Sequence, residues 1–320
     1  MNDNRTHILG ISCHDITRAV NLLHQQELVA FPTETVYGLG ADARADKAVA
    51  AIYNVKDRPE FNPLIVHVAS IADAKRYAVF DETAERLAQH YWPGPLTLVL
   101  PLQYTHNLSG LVTAGLPTVG IRVPSHPVAQ TLITAFDGPI AAPSANPSSR
   151  ISPTTAKHVL QELNGQIKAI IDSGPCQIGL ESTIIRSMNN HIDLLRPGHI
   201  TQENVESLLR LPLKRVTDEV EISAPGQLPL HYAPRSIMRL DVRYPEQDEN
   251  HLGFGEISGD LNLSPSGDLT EAAANLFSYL HRLDVQSRPI AVAPIPSKGI
   301  GYAINDRLRR ASAHKTAHST

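Results

Sequence analysis

The chain has 320 residues, of which 42% are hydrophobic and 19% are charged, and its formal net charge is −4 when histidine is neutral. This composition is typical of a globular protein, and it argues against a disordered chain and against a surface coated with positive charge for nucleic acid. The two cysteines, Cys13 and Cys176, form no Cys-x-x-Cys unit, which argues against a disulfide framework and a cysteine-built zinc site. With no signal-like apolar core near Met1 and no apolar run of about 18 residues, we expect a cytoplasmic protein without membrane contact.

At about 150 residues per domain, the length predicts two domains. The first 200 residues alternate between apolar residues at helical spacing and short apolar runs, which indicates alternating helices and strands. In chain order, the predicted elements are helix Ile16–Gln26, strand Leu28–Phe31, helix Lys47–Val55, strand Pro63–Val68, helix Glu82–Tyr91, strands Leu96–Leu100 and Val119–Val123, helix Thr154–Asn164, and strands Ala169–Asp172, Thr183–Arg186 and Asp193–Leu195. Ser152 and Pro153 predict the start of the last helix, because serine can accept from free N–H groups and proline fits a first turn. We therefore predict an α/β (α+β) domain with a twisted mixed sheet over residues 1–210.

The composition changes near Leu209. The segment 211–235 contains four prolines and few periodic apolar positions, which predicts an extended linker. Beyond it, Ser236–Val242 and Pro289–Pro294 resemble strands, and Leu269–Leu283 resembles a helix capped by Asp268. We predict a small α/β domain over residues 236–320.

Four polar clusters interrupt the apolar segments and are candidates for a functional site. The first, Phe31–Gly40, places hydroxyl groups, a carboxylate and glycines directly after a strand, where α/β proteins gather ligands; the alternative is an ordinary turn. In the second, Lys56 and Arg58 end a helix and could clamp a polyphosphate, or they could simply compensate the helix dipole. His67 ends the next strand, and a lone histidine in that position is more often a satisfied core residue than a ligand.

The third cluster runs from the small residues Ala141 and Ala142 to Ser152, which begins a predicted helix. Small side chains leave room for a ligand, and a helix start favours an anion, although Ser152 could act as a cap alone. The fourth cluster contains Arg122 and Arg196 on strands. An arginine between apolar neighbours is costly unless it is paired or faces a ligand, and the alternative is a surface position on an edge strand.

Taken together, the motifs of these clusters resemble the threonylcarbamoyl-AMP synthase family, the YrdC-like enzymes. The matching segments follow one another in the family's order: Phe31–Gly40, Lys56–Pro59, Asn62–His67, Trp92–Thr97, Thr118–Pro124, Pro139–Asn146, Glu181–Ile184 and Leu195–Gly198. Further segments, 224–226, 231–234 and 298–307, resemble the linker and the small C-terminal domain of the long form. The resemblance implies a YrdC-like domain with a twisted mixed sheet, a linker or lid, and a small Rossmann-like α/β domain.

The resemblance also implies a reaction, in which threonine, bicarbonate (or CO2) and ATP give threonylcarbamoyl-AMP and pyrophosphate. Such an enzyme is a nucleotidyltransferase that uses no protein nucleophile and acts by placing its reactants and stabilising phosphate charge. Mg²⁺ is implied as the partner of the triphosphate, with no metal site made by the protein itself. The product is handed to a tRNA threonylcarbamoyl-transfer complex for adenosine 37 of tRNAs that read codons beginning with A. Direct binding of tRNA is left open.

The family's site residues carry over to this sequence by position. The resemblance implies that threonine is held by Thr35, His67, Arg122, Ala142 and Ser182. It implies that ATP is held by Lys56, Arg58, Asn62, Thr118, Ser144, Asn146, Ser152, Arg196 and, from the linker, Tyr232. Lys56 and Arg58 are the implied catalytic pair, and the fork of Arg122 suits a carboxylate. Asp57 lies between the catalytic pair, and it could oppose the phosphates, point away or help to hold the metal.

Two alternatives come from other classes of function. A YrdC-type RNA-binding module without adenylating activity is one, although the net charge of −4 and the 5% content of aromatic residues weaken it. Carbamoyl transfer, as in hydrogenase maturation proteins, is the other, and it would require zinc-finger cysteines that two isolated cysteines do not supply. A purely structural role leaves the arginines of the motifs unexplained.

Overall fold

A computed structural model describes residues 5–188, 191–216 and 231–313, and it contains two sheets with helices packed against them. The helices are α1 (Cys13–His24), α2 (Asp46–Lys56), α3 (Ile71–Ala74), α4 (Glu82–Tyr91), α5 (Gly110–Thr113), α6 (Pro127–Phe136), α7 (Ala156–Leu163), α8 (Gln202–Leu209), α9 (Leu269–Asp284) and α10 (Gly301–Ser312). The strands are β1 (His7–Leu9), β2 (Val29–Phe31), β3 (Gly38–Asp42), β4 (Ile65–His67), β5 (Leu96–Pro101), β6 (Thr118–Arg122), β7 (Ile140–Ala141), β8 (Ala169–Ile171), β9 (Thr183–Met188), β10 (His191–Arg196), β11 (Lys214–Arg215), β12 (Met238–Arg239), β13 (Asn250–Gly253), β14 (Leu261–Asn262) and β15 (Ile290–Val292).

The large sheet has eleven strands in the order β1-β8-β2-β3-β7-β4-β6-β5-β9-β10-β11 and mixes parallel with antiparallel pairs. Its centre brings the polar motifs together. Strand β4 runs parallel to β6 with His67 opposite Arg122, and β5 runs parallel to β9 with Leu96 opposite Thr183. His67 and Arg122 end β4 and β6, and because β5 runs antiparallel to β6, the starts of β5 and β9 lie at the same edge of the sheet. Ser182, directly before β9, therefore lies on the same side as His67 and Arg122.

Helix boundaries follow local capping and backbone conformation. The predicted bounds of α4 are confirmed, and the Asp81 side chain caps that helix by accepting from the N–H of Ala84 at 2.7 Å. The prediction that Ser152 begins α7 is wrong. Thr155 caps that helix instead, and the hydroxyl of Ser152 is used elsewhere. None of the helices in the described ranges is long and apolar enough to cross a membrane.

The smaller sheet has the order β12-β15-β13-β14 with every pair parallel, and α9 and α10 pack on it. Residues 236–313 with this sheet are called the C-terminal unit, and residues 5–216 the N-terminal unit. The predicted cap of α9 is confirmed, because Asp268 accepts from the N–H groups of Thr270 and Glu271. One apolar cluster joins Val36, Ile151 and Leu180 of the N-terminal unit to the core of the C-terminal unit. The C-terminal unit therefore packs beside the polar edge of the large sheet.

Candidate active site

The polar edge of the large sheet contains a partly open cavity with about 510 Å³ of empty space. All five residues assigned to threonine line it, together with three of those assigned to ATP. These eight residues are Thr35, His67, Arg122, Ala142 and Ser182, and Arg58, Ser144 and Arg196. The remaining wall residues are Thr33, Val36, Gly38, Ile65, Pro143, Glu181 and His231. The motifs that are scattered over 200 residues of sequence therefore form one concave surface.

Arg122 is the buried arginine of β6, and the fold supplies it with a partner. Its Nη2 donates to Glu34 Oε1 at 2.5 Å, its Nη1 donates to Thr35 Oγ1 at 3.0 Å, and its Nε donates to the main-chain oxygen of Gly94. Burial alone would raise the pKa of Glu34, but the guanidinium of Arg122 outweighs burial and lowers it. Arg122 is thus a fixed, charged donor facing the cavity, as the recognition of a carboxylate requires.

His67 lies beside Arg122 and is held in its neutral form. Burial, reinforced by the charge of Arg122, lowers its pKa to about 3. Its ring meets that of Phe31 edge to face at 6.1 Å, and its Nδ1 has no hydrogen-bond partner among the described residues. A neutral imidazole in the cavity wall can accept or donate one hydrogen bond without adding charge.

Ser182, directly before β9, forms hydrogen bonds to residues of β5 and β10, the two strands that flank β9. Its hydroxyl shares a 2.7 Å hydrogen bond with Thr97 Oγ1 and accepts from Arg196 Nη2 at 3.1 Å. Arg196 Nε also donates to the main-chain oxygen of Ser182, which fixes the plane of the guanidinium. These contacts orient a hydroxyl and a cation toward the same space.

Lys56 and Arg58 are buried where α2 ends. Asp57 adopts a left-handed conformation with φ 48°, which ends the helix and allows the residues on both sides of it to turn inward. Lys56 Nζ donates to the main-chain oxygens of Ser144 and Asn146, at 2.6 and 2.5 Å. The sequence left the role of Asp57 undecided. Its side chain is exposed and does not line the cavity, so it points away from the site.

The charges of Lys56 and Arg58 are unusual for a protein interior. Within the described residues, Lys56 and Arg58 have no carboxylate within 4 Å and donate to main-chain oxygens instead. Burial lowers the pKa of Lys56 well below its usual value and that of Arg58 to about 10, and it also lowers the pKa of Arg196. Burying Lys56 and Arg58 without a carboxylate partner is costly, so an anionic ligand bound beside Arg58 would be strongly favoured.

Six residues assigned to ATP do not line the cavity: Lys56, Asn62, Thr118, Asn146, Ser152 and Tyr232. Thr118 begins β6, whereas Arg122 ends it at the cavity. The amide nitrogen of Asn146 donates to the main-chain oxygens of Pro147 and Arg150, and its Oδ1 has no partner in the described part of the chain. Their assignments to ATP stay predictions, and the geometry gives several of them a supporting position behind the wall.

The predicted linker reaches the cavity with its last residues, while residues 217–230 lie outside the described part of the chain. His231 lines the cavity, and burial together with the nearby cations lowers its pKa well below the usual value. The ring of Tyr232 faces the C-terminal unit, 5.5 Å from that of Phe277. The N–H of Ala233 donates to the main-chain oxygen of Ser149 at 2.7 Å, which anchors the segment.

Sequence reasoning missed seven wall residues and the partner of Arg122. Glu181, Thr33 and Gly38 belong to motifs already singled out, so their position beside assigned residues was an available signal. Glu34 is the carboxylate of the first motif, and the cost of burying Arg122 was the signal that pointed to it. Within the described ranges, no group of three or more His, Cys, Asp or Glu side chains could hold a metal ion.

Comparison with known proteins gives the family. A family model described as "Telomere recombination", named for Sua5, YciO and YrdC, matches residues 21–198. A second model, described as "Threonylcarbamoyl-AMP synthase, C-terminal domain", matches residues 200–313. The chain belongs to the threonylcarbamoyl-AMP synthase family.

Relatives from distant organisms match nearly the whole chain. The threonylcarbamoyl-AMP synthase of Bacillus subtilis is 40% identical over 93% of this chain and 92% of its own length. That of Schizosaccharomyces pombe is 35% identical over 93% and 88%. Among solved structures, Sua5 of Pyrococcus abyssi complexed with L-threonine has a TM-score of 0.88 and 36% identity, and the match covers 97% of this chain and 98% of that one. The arrangement of the two sheets is therefore shared with the full-length Sua5 of P. abyssi.

Proposed function

We propose that this protein is a threonylcarbamoyl-AMP synthase. It converts L-threonine, bicarbonate and ATP into threonylcarbamoyl-AMP, pyrophosphate and one water (no water where CO2 is the carbon source), which makes it a nucleotidyltransferase. The observation that carries the proposal is one cavity whose wall contains two sets of cations. Arg122, held by Glu34 and Thr35, would take a carboxylate, and the buried cations Arg58 and Arg196 would take phosphates, and we call these parts of the cavity the amino-acid end and the nucleotide end. An amino acid and a polyphosphate bound there would have their reacting ends between them.

At the amino-acid end, Arg122 would hold the threonine carboxylate with a donor that Glu34 and Thr35 keep in place. The neutral ring of His67 and the hydroxyl of Ser182 complete this end without adding negative charge. Ala142, a small wall residue, leaves space for the threonine side chain. Serine lacks the methyl group of threonine and should be the poorer substrate, by about 1–3 kcal/mol of discrimination.

At the nucleotide end, the reaction is a displacement at phosphorus. The carbamate oxygen of N-carboxythreonine attacks the α-phosphate of ATP, the bond between the α-phosphate and the bridging oxygen breaks, and pyrophosphate leaves with that electron pair. Arg58 and Arg196 would stabilise negative charge on the phosphates as the bond breaks, and Lys56 would hold the loop of Ser144 in position. The protein contributes placement and charge rather than a nucleophile.

Mg²⁺ is part of the proposal as the partner of the triphosphate. Oxygen ligands suit this ion, and since no group of His, Cys, Asp or Glu side chains in the described ranges could hold a metal, the phosphate oxygens of ATP would supply them. When bound, the ion would neutralise phosphate charge. We also place the product upstream of a tRNA threonylcarbamoyl-transfer complex and the reaction in the cytoplasm, where ATP, threonine and tRNA are present.

The decisive experiment is incubation of the purified chain with ATP, Mg²⁺, threonine and bicarbonate, followed by assay of pyrophosphate and of the adenylate. We expect pyrophosphate only when threonine and bicarbonate are both present, and none after chelation of the metal. Equal release of pyrophosphate without any amino acid would refute the proposal. Binding of RNA without adenylate formation would favour the RNA-binding alternative instead.

A further inference from the structure

One buried arginine of the C-terminal unit reaches the wall of the cavity. Arg307, in α10, is fully buried, and its Nε donates to Glu181 Oε2 at 2.9 Å. Glu181 lines the cavity, and its other carboxylate oxygen accepts from the hydroxyl of Ser152. The guanidinium carbon of Arg307 also lies 5.1 Å from the centre of the Tyr232 ring. A single side chain from outside the N-terminal unit therefore contacts two residues at the site and reaches a third through one of them.

The charges of this network make Arg307 sensitive to replacement. Its Nη1 donates to Asp306 Oδ2 at 2.8 Å, so it stands between two buried carboxylates, those of Glu181 and Asp306. Without the guanidinium, the carboxylate of Glu181 would remain in the wall without this ion pair and with less of its negative charge compensated, since Arg196 is the other nearby cation. That charge would face the end of the cavity that Arg58 and Arg196 make favourable for anions.

Close packing of main chain on main chain fixes the C-terminal unit in this position. Gly179 has a φ of 72°, and a Cβ added there would lie 2.5 Å from the main-chain oxygen of Ala274 in α9. The ring of His281, also in α9, stacks on that of His158 in α7 with 4.0 Å between centres. A clash with backbone cannot be relieved by rotating a side chain, so α9 would have to move. The position of Arg307 therefore depends on this contact as well.

We propose that the C-terminal unit completes the nucleotide end of the active site, and that Arg307 is its positioning residue. Arg307 holds the Glu181 carboxylate, and that carboxylate holds the Ser152 hydroxyl. By compensating the negative charge of Glu181, Arg307 keeps it from repelling the phosphates of ATP. The inference rests on the proposed function, because that function assigns this end of the cavity to ATP. It predicts that binding of ATP depends on the C-terminal unit while binding of threonine does not.

The first test uses Arg307→Met and Arg307→Lys, with Arg309→Met as the matched control. Arg309 lies on the same helix and pairs with the same Asp306 at 3.2 Å, but its side chain is 72% exposed. We expect the KM for ATP to rise about tenfold or more in Arg307→Met, with the KM for threonine changed less than about threefold. Arg307→Lys, which keeps the charge but not the fork, should recover part of the loss, and the control should behave as wild type.

The second test reaches the same network without touching a charge. Gly179→Ala should weaken binding of a non-hydrolysable ATP analogue in calorimetry, whereas Gly174→Ala should not. Gly174 has a φ of 86° and no atom within 4 Å of an added Cβ, so both variants share the backbone strain and only one meets α9. If Arg307→Met does not fold, the comparison of Gly179→Ala with Gly174→Ala still tests whether ATP binding depends on the C-terminal unit.

The outcomes separate the inference from the proposed function. A wild-type chain that releases no pyrophosphate from ATP, threonine and bicarbonate refutes the proposed function, whereas the calorimetric comparison still tests the inference. An unchanged affinity for the ATP analogue in Arg307→Met and Gly179→Ala, or in Gly179→Ala alone where Arg307→Met does not fold, overturns the inference while leaving the synthase activity intact. Equal changes in the ATP and threonine KM values, or the same effect in Arg309→Met, would also overturn it.

Discussion

Replacing Glu34 with glutamine should destabilise the protein far more than a comparable change at the surface. Glu34 and Arg122 form a buried pair at 2.5 Å whose side chains are 5% and 4% exposed. Breaking such a pair from one side leaves an uncompensated charge and typically costs about 3–5 kcal/mol. The amide oxygen of glutamine can still accept from Arg122, so we expect Glu34→Gln to lie at the lower end, about 3 kcal/mol. The measurement is urea unfolding followed by circular dichroism.

Asp42→Asn is the matched control. Asp42 pairs with Arg44 at 2.8 Å, but these side chains are 14% and 31% exposed, and we expect a loss of less than about 1 kcal/mol. Because Arg122 lowers the pKa of Glu34 below 4.5, the stability that the ionised carboxylate contributes is complete above that pH and is lost on further acidification. The difference between wild type and Glu34→Gln should therefore shrink below pH 4.5. Equal losses in Glu34→Gln and Asp42→Asn at pH 7 would refute the reasoning.

Three further predictions concern the two ends of the cavity and the contact with the C-terminal unit. Arg58→Ala should mainly raise the KM for ATP, and Arg122→Ala should mainly raise the KM for threonine, because each loses a charge-assisted contact worth about 1.5–3 kcal/mol of binding free energy. Calorimetry that showed normal threonine binding by Arg122→Ala would contradict the assignment of Arg122. Burial lowers the pKa of His158 to about 3 and that of its stacked partner His281 to about 4, so the protein should lose stability as the pH falls from about 6.5 toward 4. The urea midpoint at pH 7.5 and pH 5 measures this, and replacing both histidines with glutamine should reduce the dependence. Tyr232→Ala should lower the yield of adenylate per pyrophosphate released, whereas Tyr232→Phe, which keeps the ring against the C-terminal unit, should not.

The sequence predicted those parts of the fold that local chemistry determines. Helical patterning of the sequence placed α4, and the capping Asp268 helped to place α9, because such signals act within a few residues of the helix that they determine. The start of α7 was predicted wrongly, since Ser152 is drawn to Glu181, which lies 29 residues away in sequence. The two-residue strand β7 also escaped notice. Its strand conformation depends on pairing with β3 and β4 rather than on its own residues.

The candidate site was predictable where burying a charged side chain has an obvious cost in free energy. A charge inside β6 required a partner or a ligand, and that argument pointed to Arg122 before any coordinates did. By contrast, nothing near Tyr232 in sequence shows that its ring packs on Phe277, or that His231 rather than the tyrosine reaches the cavity wall. Such contacts depend on how two sheets meet, and sequence patterns within one element carry no record of it.

The shared apolar cluster has a consequence for how enzymes of this kind can gain or lose a domain. Val36, Ile151 and Leu180 are at most 7% exposed, and they belong to the same cluster as the core of the C-terminal unit. In a chain that ended after α8, these side chains would face water next to the cavity and form an exposed apolar patch that promotes association with other proteins. A one-domain enzyme must therefore carry polar residues at these positions, or keep them covered by something else. The length of the chain and the chemistry of a few wall positions have to change together.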